Sequence, residues 1–170
     1  MKPKFKEILS DSLRITSEIA AEAVGNNPKY FNELIELSLN EKAPLNWRAS
    51  RVIALCSDNY PKLFIPYVNK IAQVFPRFKT DGLKRSYAYV LSKYVDKIKE
   101  DNIVGLIETC FSLMFSNEKI AVKYNCMKLL FEITKMIPEL RGELKALIDY
   151  NLEQGVFRMN GEIKKVYKNI

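Results

Sequence analysis

An apolar stripe with helical spacing recurs along this chain. Three copies are complete: Leu45, Ala49, Val52, Ile53 and Cys56; Leu83, Tyr87, Val90, Leu91 and Tyr94; and Val122, Cys126, Leu129, Leu130 and Ile133. Two partial copies are Ile15, Ile19 and Ala23, and Met159, Ile163, Val166 and Tyr167. Steps of four, three, one and three residues place each complete copy on one side of a helix. Successive copies begin 30, 38, 39 and 37 residues apart, which predicts stacked helical units.

Partner helices are predicted between these stripes. Pro28-Lys29-Tyr30-Phe31 is similar to Pro61-Lys62-Leu63-Phe64, with a looser copy at 137–140, and proline is favoured in a first helical turn. The third unit has Asp101 as its expected N-cap instead. The pattern predicts helices near 4–24, 29–40, 45–57, 61–76, 82–96, 101–116, 119–135, 138–153 and 157–168.

The turns that lead into the second helix of each unit carry a family resemblance. Segments 44–50, 82–87 and 120–124 each contain the first apolar residue of a stripe, with a base one to three residues after it, so the register varies between units. This arrangement resembles a HEAT repeat, and the resemblance covers nearly the whole chain as about four and a half repeats. It implies a single all-α domain over residues 1–170. The expected fold is an α-α superhelix, a short α-solenoid of about four to five helix pairs whose neighbours share one core.

The composition excludes most familiar catalytic sites. The chain has no histidine, which removes Ser-His-Asp and Cys-His nucleophilic sites and histidine-bearing zinc or haem sites. Its six glycines form neither a GxGxxG nor a GxxxxGK[ST] motif. No pair of carboxylates stands out from ordinary helical surface charge. We therefore expect a protein without catalytic activity, cofactor or metal.

The cysteines and the hydropathy pattern indicate a cytoplasmic protein. The three cysteines form no CxxC pair, and an odd, sparse count is typical of a reducing compartment. Cys56 and Cys126 fall on apolar stripes, so we expect them in the core. No apolar run exceeds five residues. We therefore expect no membrane span, and we expect that the start, MKPKFKEILSD, is not a signal peptide.

Positive charge is concentrated in the middle third of the chain. Residues 45–100 contain eleven bases and four acids, a net charge of +7, which equals that of the whole chain. Residues 1–44 and 101–170 have net charges of −1 and +1. The excess is therefore local and predicts a basic binding surface.

Bases also gather in the first turns of the second helices, where the helix dipole disfavours them: Arg14, Arg48, Arg51, Lys84, Arg85, Lys123 and Arg158. They could pair with turn acids such as Glu41, Asp81 and Glu118, or face an anionic ligand.

Trp47, the only tryptophan, shares a helix side with Arg51, Ala54 and Asp58. It either packs on a neighbouring repeat or is an exposed binding residue. The predicted binding residues are Trp47, Arg48, Arg51, Lys84, Arg85 and Lys123.

Two kinds of partner fit this surface. A basic helical scaffold would bind an acidic protein or peptide segment, steered by charge and anchored on aromatic residues. The alternative is nucleic acid, because bases and tyrosines are interleaved in the middle third at Tyr60, Lys62, Tyr67, Lys70, Arg77, Lys79, Lys84, Arg85, Tyr87, Tyr89, Lys93, Tyr94, Lys97 and Lys99. Tyr87 and Tyr94 lie on a core stripe, which weakens the aromatic part of that signal.

The chain is also similar, more weakly, to bacterial DNA alkylation-repair glycosylases. Those enzymes are built from HEAT-like repeats with a basic concave face, and aromatic residues surround a catalytic aspartate. The shared features are helical repetition and positive charge, whereas one tryptophan stands where that family uses several aromatic residues. No aspartate here matches the catalytic one by motif, so the resemblance assigns no catalytic residue.

Overall fold

A computed structural model describes residues 3–170, so the first two residues of the predicted domain lie outside the described part. This part of the chain contains ten α-helices and no strand. They are α1 (Phe5–Ile8), α2 (Arg14–Val24), α3 (Pro28–Asn40), α4 (Leu45–Asn59), α5 (Val68–Val74), α6 (Asp81–Leu91), α7 (Glu100–Phe115), α8 (Ile120–Thr134), α9 (Arg141–Glu153) and α10 (Gly161–Asn169). Short 3₁₀ turns lie at 61–63, 65–67, 75–77, 95–97 and 138–140.

The helices form two layers. In one layer α2, α4, α6 and α8 pack side by side in chain order, and we call its exposed side the second-helix face. In the other layer α5, α7 and α9 pack in chain order, while α3 pairs with α4 and α7 with α8 across the layers. Each repeat therefore contacts mainly its neighbours in sequence, as expected for a solenoid. The all-α prediction with helix pairs stacked in a short solenoid is confirmed.

One continuous core runs between the layers, from Phe5 near the start to Val166 near the end. Fourteen of the fifteen residues of the complete stripes are buried in it, and Tyr87 is its largest fully buried side chain. The Tyr87 hydroxyl is hydrogen-bonded to the hydroxyl of Ser38, which satisfies two polar groups inside an apolar interior. The core prediction for Cys56 and Cys126 is confirmed, and Cys110 is buried as well.

The first stripe was predicted in the wrong register. Ile15 and Ile19 are 57% and 50% exposed, and α2 buries Ser17, Ala20, Ala21 and Val24 instead. These four residues precede Ala49, Val52, Ile53 and Cys56 of α4 by 32 residues each, so the true offset is 32 and not 30. Small side chains fill this end of the core, and a pattern that counts only large apolar residues selects the opposite side of the helix.

Several predicted helices are interrupted or shorter than expected, since α6 ends at Leu91 and not at residue 96, and α10 begins at Gly161 and not at residue 157. The helix expected at 4–24 is two helices, because the Asp11 carboxylate accepts hydrogen bonds from the Leu13 N–H (2.9 Å) and the Thr16 hydroxyl (2.7 Å) and starts α2 anew. These bonds hold the pKa of Asp11 below its usual value. The helix expected at 61–76 contains Pro61, Pro66 and Pro76, which lack an N–H donor, so α5 is flanked by 3₁₀ turns.

Side-chain caps occur at two helix starts. The Asn27 side chain accepts from the backbone N–H groups of Lys29 and Tyr30, at 3.0 and 3.3 Å, and the Asn160 side chain accepts from that of Ile163 at 3.0 Å. The predicted cap at Asp101 is wrong. Lys99 occupies the N-cap of α7, and Asp101 lies within the first turn, where its negative charge still favours the helix dipole.

Candidate binding surface

Trp47 packs against the next repeat. Its side chain is half-buried, and a Cβ atom placed on Gly82 of α6 would lie 2.5 Å from Trp47 Cβ and 2.9 Å from its Cγ. Glycine is thus the residue that allows α4 and α6 to approach this closely. Of the two predictions for Trp47, packing on a neighbouring repeat is confirmed.

Arg48 is occupied by the chain's own backbone. Its Nη1 donates hydrogen bonds to the carbonyl oxygens of Leu9 (3.0 Å) and Ser10 (2.7 Å), and its Nε donates to the Ser12 hydroxyl (3.1 Å). The guanidinium also lies 5.6 Å from the centroid of the Trp47 ring. Arg48 therefore fixes the turn between α1 and α2 onto the start of α4.

Lys84 and Lys123 point into the seam between repeats. Lys84 forms an ion pair with Glu118, and their side chains are only 13% and 18% exposed. Lys123 is 4% exposed and donates to the Asn151 side-chain oxygen at 3.0 Å. Burial lowers the pKa of Lys123, while the charge of Glu118 opposes that shift. The predicted pairing of a turn acid with a base is found at Glu118. A binding role for Lys84 and Lys123 stays a prediction, and neither residue lines the two depressions of the second-helix face.

Arg51 and Arg85 meet in a depression on the second-helix face. Its volume is about 480 Å³, and it is lined by Arg51, Ala54, Leu55, Asp58, Arg85, Ser86, Tyr89 and Asn125. Arg51 donates one hydrogen bond, from Nη1 to the Ser12 carbonyl at 3.2 Å. Within residues 3–170, Arg85 has neither a hydrogen bond nor an ion pair. Most guanidinium donors of these two arginines are therefore available to a ligand.

Tyr89 joins this depression to a second one. The second has a volume of about 450 Å³ and is lined by Tyr89, Ser92, Lys93, Lys128, Phe131, Glu132, Glu162, Lys165 and Val166. The Tyr89 hydroxyl donates to Asp58 at 3.1 Å and accepts from Lys93 Nζ at 2.9 Å, while Lys93 also pairs with Asp58. Burial, and then the charge of Lys128, lowers the pKa of Lys93. Both lysines already have a carboxylate partner, since Lys93 pairs with Asp58 and Lys128 Nζ lies 3.7 Å from a Glu162 carboxylate oxygen.

Sequence reasoning missed part of this surface, although a signal for it was present. Arg51, Tyr89 and Lys128 are separated by 38 and 39 residues, the same offsets that relate the core stripes of α4, α6 and α8. Tyr89 was already among the interleaved tyrosines of the middle third, and applying the second offset to it would also have found Lys128. The last offset, 37 residues, relates Val122 to Met159, and it leads from Lys128 to Lys165 in the same way.

The interleaved bases and tyrosines of the middle third do not form one surface. Tyr87 and Tyr94 are buried, as their stripe predicted. Tyr67, in the 3₁₀ turn before α5, donates to Asn32 of α3 at 2.9 Å. Tyr89 is the tyrosine of this set that lines both depressions.

No cluster of three or more metal-binding side chains occurs among residues 3–170. Within the same range, none of the helices combines the length and the apolarity needed to span a bilayer.

The stacked helix pairs define the molecule as a helical-repeat solenoid. The model of the HEAT repeat domain family matches residues 5–170. The chain belongs to this family, and the resemblance drawn from its turns is confirmed. No curated protein and no solved structure matches the chain.

Proposed function

We propose that this HEAT repeat protein is a non-catalytic binding module of the cytoplasm, and that its second-helix face binds an acidic peptide segment of a partner protein. The observation that carries the proposal is the pair of Arg51 and Arg85 in one depression, neither with an acidic partner in the described residues. A guanidinium matches a carboxylate with two parallel hydrogen bonds. HEAT repeats typically mediate protein binding, which supports a peptide ligand.

The same face has an apolar end. With the offset of 32 residues, Ile15 and Ile19 of α2 are equivalent to Trp47 and Arg51 of α4, so they lie on this face one repeat earlier. Leu13 beside them is also exposed. Exposed apolar side chains on the same face as arginines that have no acidic partner in the described residues suit a peptide whose apolar residues stand beside its carboxylates.

Nucleic acid is the alternative ligand, and the local net charge supports it. The acids of this face weigh against it, because Asp58, Glu132 and Glu162 line the same depressions as the bases. A phosphate backbone would meet these carboxylates at every step, whereas a peptide can place its own side chains between them. A peptide is therefore the better fit.

Peptide display tests this proposal. A library of random linear peptides is selected on the immobilised domain, and enriched peptides are measured by fluorescence anisotropy beside single- and double-stranded oligonucleotides at low and near-physiological salt. We expect enrichment of Asp and Glu next to apolar residues, with binding that persists as salt is raised. Arg85→Glu should weaken it about tenfold or more.

Arg77→Glu is the matched control, since Arg77 is an exposed arginine outside both depressions. It should bind the selected peptides as the wild type does. Selected peptides without acidic residues, or equal losses in the two variants, would contradict the proposal. Tight oligonucleotide binding with a steep salt dependence would place nucleic acid first.

A further inference from the structure

The other layer of the solenoid has an apolar groove between α7 and α9. Its volume is about 440 Å³, and it is lined by Phe111, Ser112, Phe115, Glu143, Ala146, Leu147 and Tyr150. Phe115 is 64% exposed, although its ring stacks on Tyr150 with centroids 5.2 Å apart. Exposed aromatic surface of this kind is costly in water unless a partner covers it.

The apolar character belongs to this seam and not to the layer as a whole. The preceding seam, where the end of the α5 segment meets α7, has a depression of similar size, about 420 Å³. That depression includes Lys79, Lys84, Glu108 and Thr109. Stacking of repeats therefore does not by itself produce an apolar groove, and the α7–α9 seam is distinctive.

The charge beside the groove is negative. Glu143 lines it, and Glu153 follows Tyr150 by three residues on the same side of α9. Neither glutamate forms an ion pair within the described residues. Lys145, two residues after Glu143, lies on another side of α9 and bonds to Asp149 at 3.2 Å and to the Tyr167 hydroxyl at 2.8 Å. A ligand in this groove would thus meet aromatic rings flanked by unpaired carboxylates.

We propose that the α7–α9 groove binds a basic amphipathic helix of a partner protein. Apolar residues at i, i+3 or i+4, and i+7 would cover Phe111, Phe115 and Leu147, as a helix does in a hydrophobic groove. Lysines or arginines at the edges of that stripe would pair with Glu143 and Glu153. The proposal stands apart from the acidic-peptide proposal, because it concerns the other layer and the opposite charge.

A subtractive selection tests it. Display peptides are first depleted on the Phe115→Glu variant and then selected on the wild-type domain, so that only ligands dependent on this groove remain. We expect peptides with basic residues flanking an apolar stripe of helical period. Their affinity should fall about tenfold or more for Glu143→Lys, and Arg85→Glu should leave it unchanged.

Met136→Glu is the matched control for Phe115→Glu, since Met136 is comparably exposed and lies outside the groove. It should retain binding of the selected peptides, and circular dichroism should show all variants folded. Recovery of no peptide that depends on Phe115, or of peptides without bases, would overturn the proposal. So would wild-type self-association in sedimentation that Phe115→Glu abolishes, because a second copy would then be the occupant.

Discussion

Lys84 and Arg85 are adjacent bases whose side chains lie in different surroundings. Lys84 lies in the seam between repeats and is paired with Glu118, while Arg85 lies in the depression of the second-helix face and is unpaired in the described chain. One residue along a helix is a rotation of about 100°, and that rotation separates a structural base from one available to a ligand. Positive charge near a helix start is therefore no measure of binding unless the side of the helix is known.

The largest loss of stability is expected in the seam, at Asn151. This fully buried side chain accepts from Lys123 and donates to the carbonyl oxygens of Met114 at 3.1 Å and Leu147 at 2.8 Å. Asn151→Ala should lower the free energy of unfolding by about 3 kcal/mol, since it leaves a buried ammonium without its partner. Urea denaturation measures this.

Asn125→Ala is the control on the face, because the Asn125 side chain lines the depression and donates only to the Ala121 carbonyl of its own helix. Its effect should stay within about 0.5 kcal/mol. Comparable losses at Asn125 and Asn151 would break the distinction between seam and face.

Gly82→Ala should cost the next largest amount. The added methyl would overlap Trp47 Cβ, which is fixed to the α4 backbone, so the two helices must separate. We expect a loss of about 1–3 kcal/mol in thermal or urea unfolding. Gly142→Ala meets no atom within 4 Å and should be neutral or slightly stabilising. A neutral Gly82→Ala would show that the α4–α6 contact is looser than described.

Replacing Lys84 and Arg85 by methionine, one at a time, tests the comparison between seam and face directly. Lys84→Met leaves Glu118 unpaired in a largely buried place and should destabilise the protein by about 1 kcal/mol. Arg85→Met removes no internal bond and should change the free energy of unfolding by less than about 0.5 kcal/mol, while it weakens binding of acidic peptides. Equal destabilisation by both variants would contradict the assignment.

The smallest expected signal is the reactivity of the thiols. Cys56, Cys110 and Cys126 are all buried, and burial raises the pKa of the Cys56 thiol to about 12. Cys56 is therefore a thiol and not the reactive thiolate at about pH 8, and burial shields all three cysteines from the reagent. Ellman's reagent should label no cysteine of the folded protein and all of them in denaturant. Rapid labelling of the native protein would show that the core opens.

The fold could be predicted from the sequence because most repeats bury large apolar residues at a nearly constant offset. Where that condition holds, at α4, α6 and α8, the stripes and the core agree. It fails at α2, where alanine and serine fill the core and the isoleucines face out. Pattern reasoning detects large apolar side chains, but it cannot tell a small buried residue from a small exposed one.

The binding surface was harder to predict than the fold. The sequence predicted Arg51 and Arg85 among six residues, but Arg48, Lys84 and Lys123 are engaged inside the protein. Their partners are backbone carbonyls and an asparagine or glutamate about 30 to 40 residues away in sequence. Only the packing of neighbouring repeats brings these groups within hydrogen-bonding distance.

The local stability of α10 determines how often one end of the second-helix face opens. α10 is held by two buried residues, Ile163 and Val166, and by the Tyr167 hydroxyl on Asp149 at 2.5 Å. α10 buries two residues where α8 buries nine, so we expect α10 to open at a lower free energy than the middle of the stack. Glu162 and Lys165 on α10 form one wall of the depression around Tyr89. Amide hydrogens of α10 should therefore exchange first, and a ligand that contacts this wall will slow them.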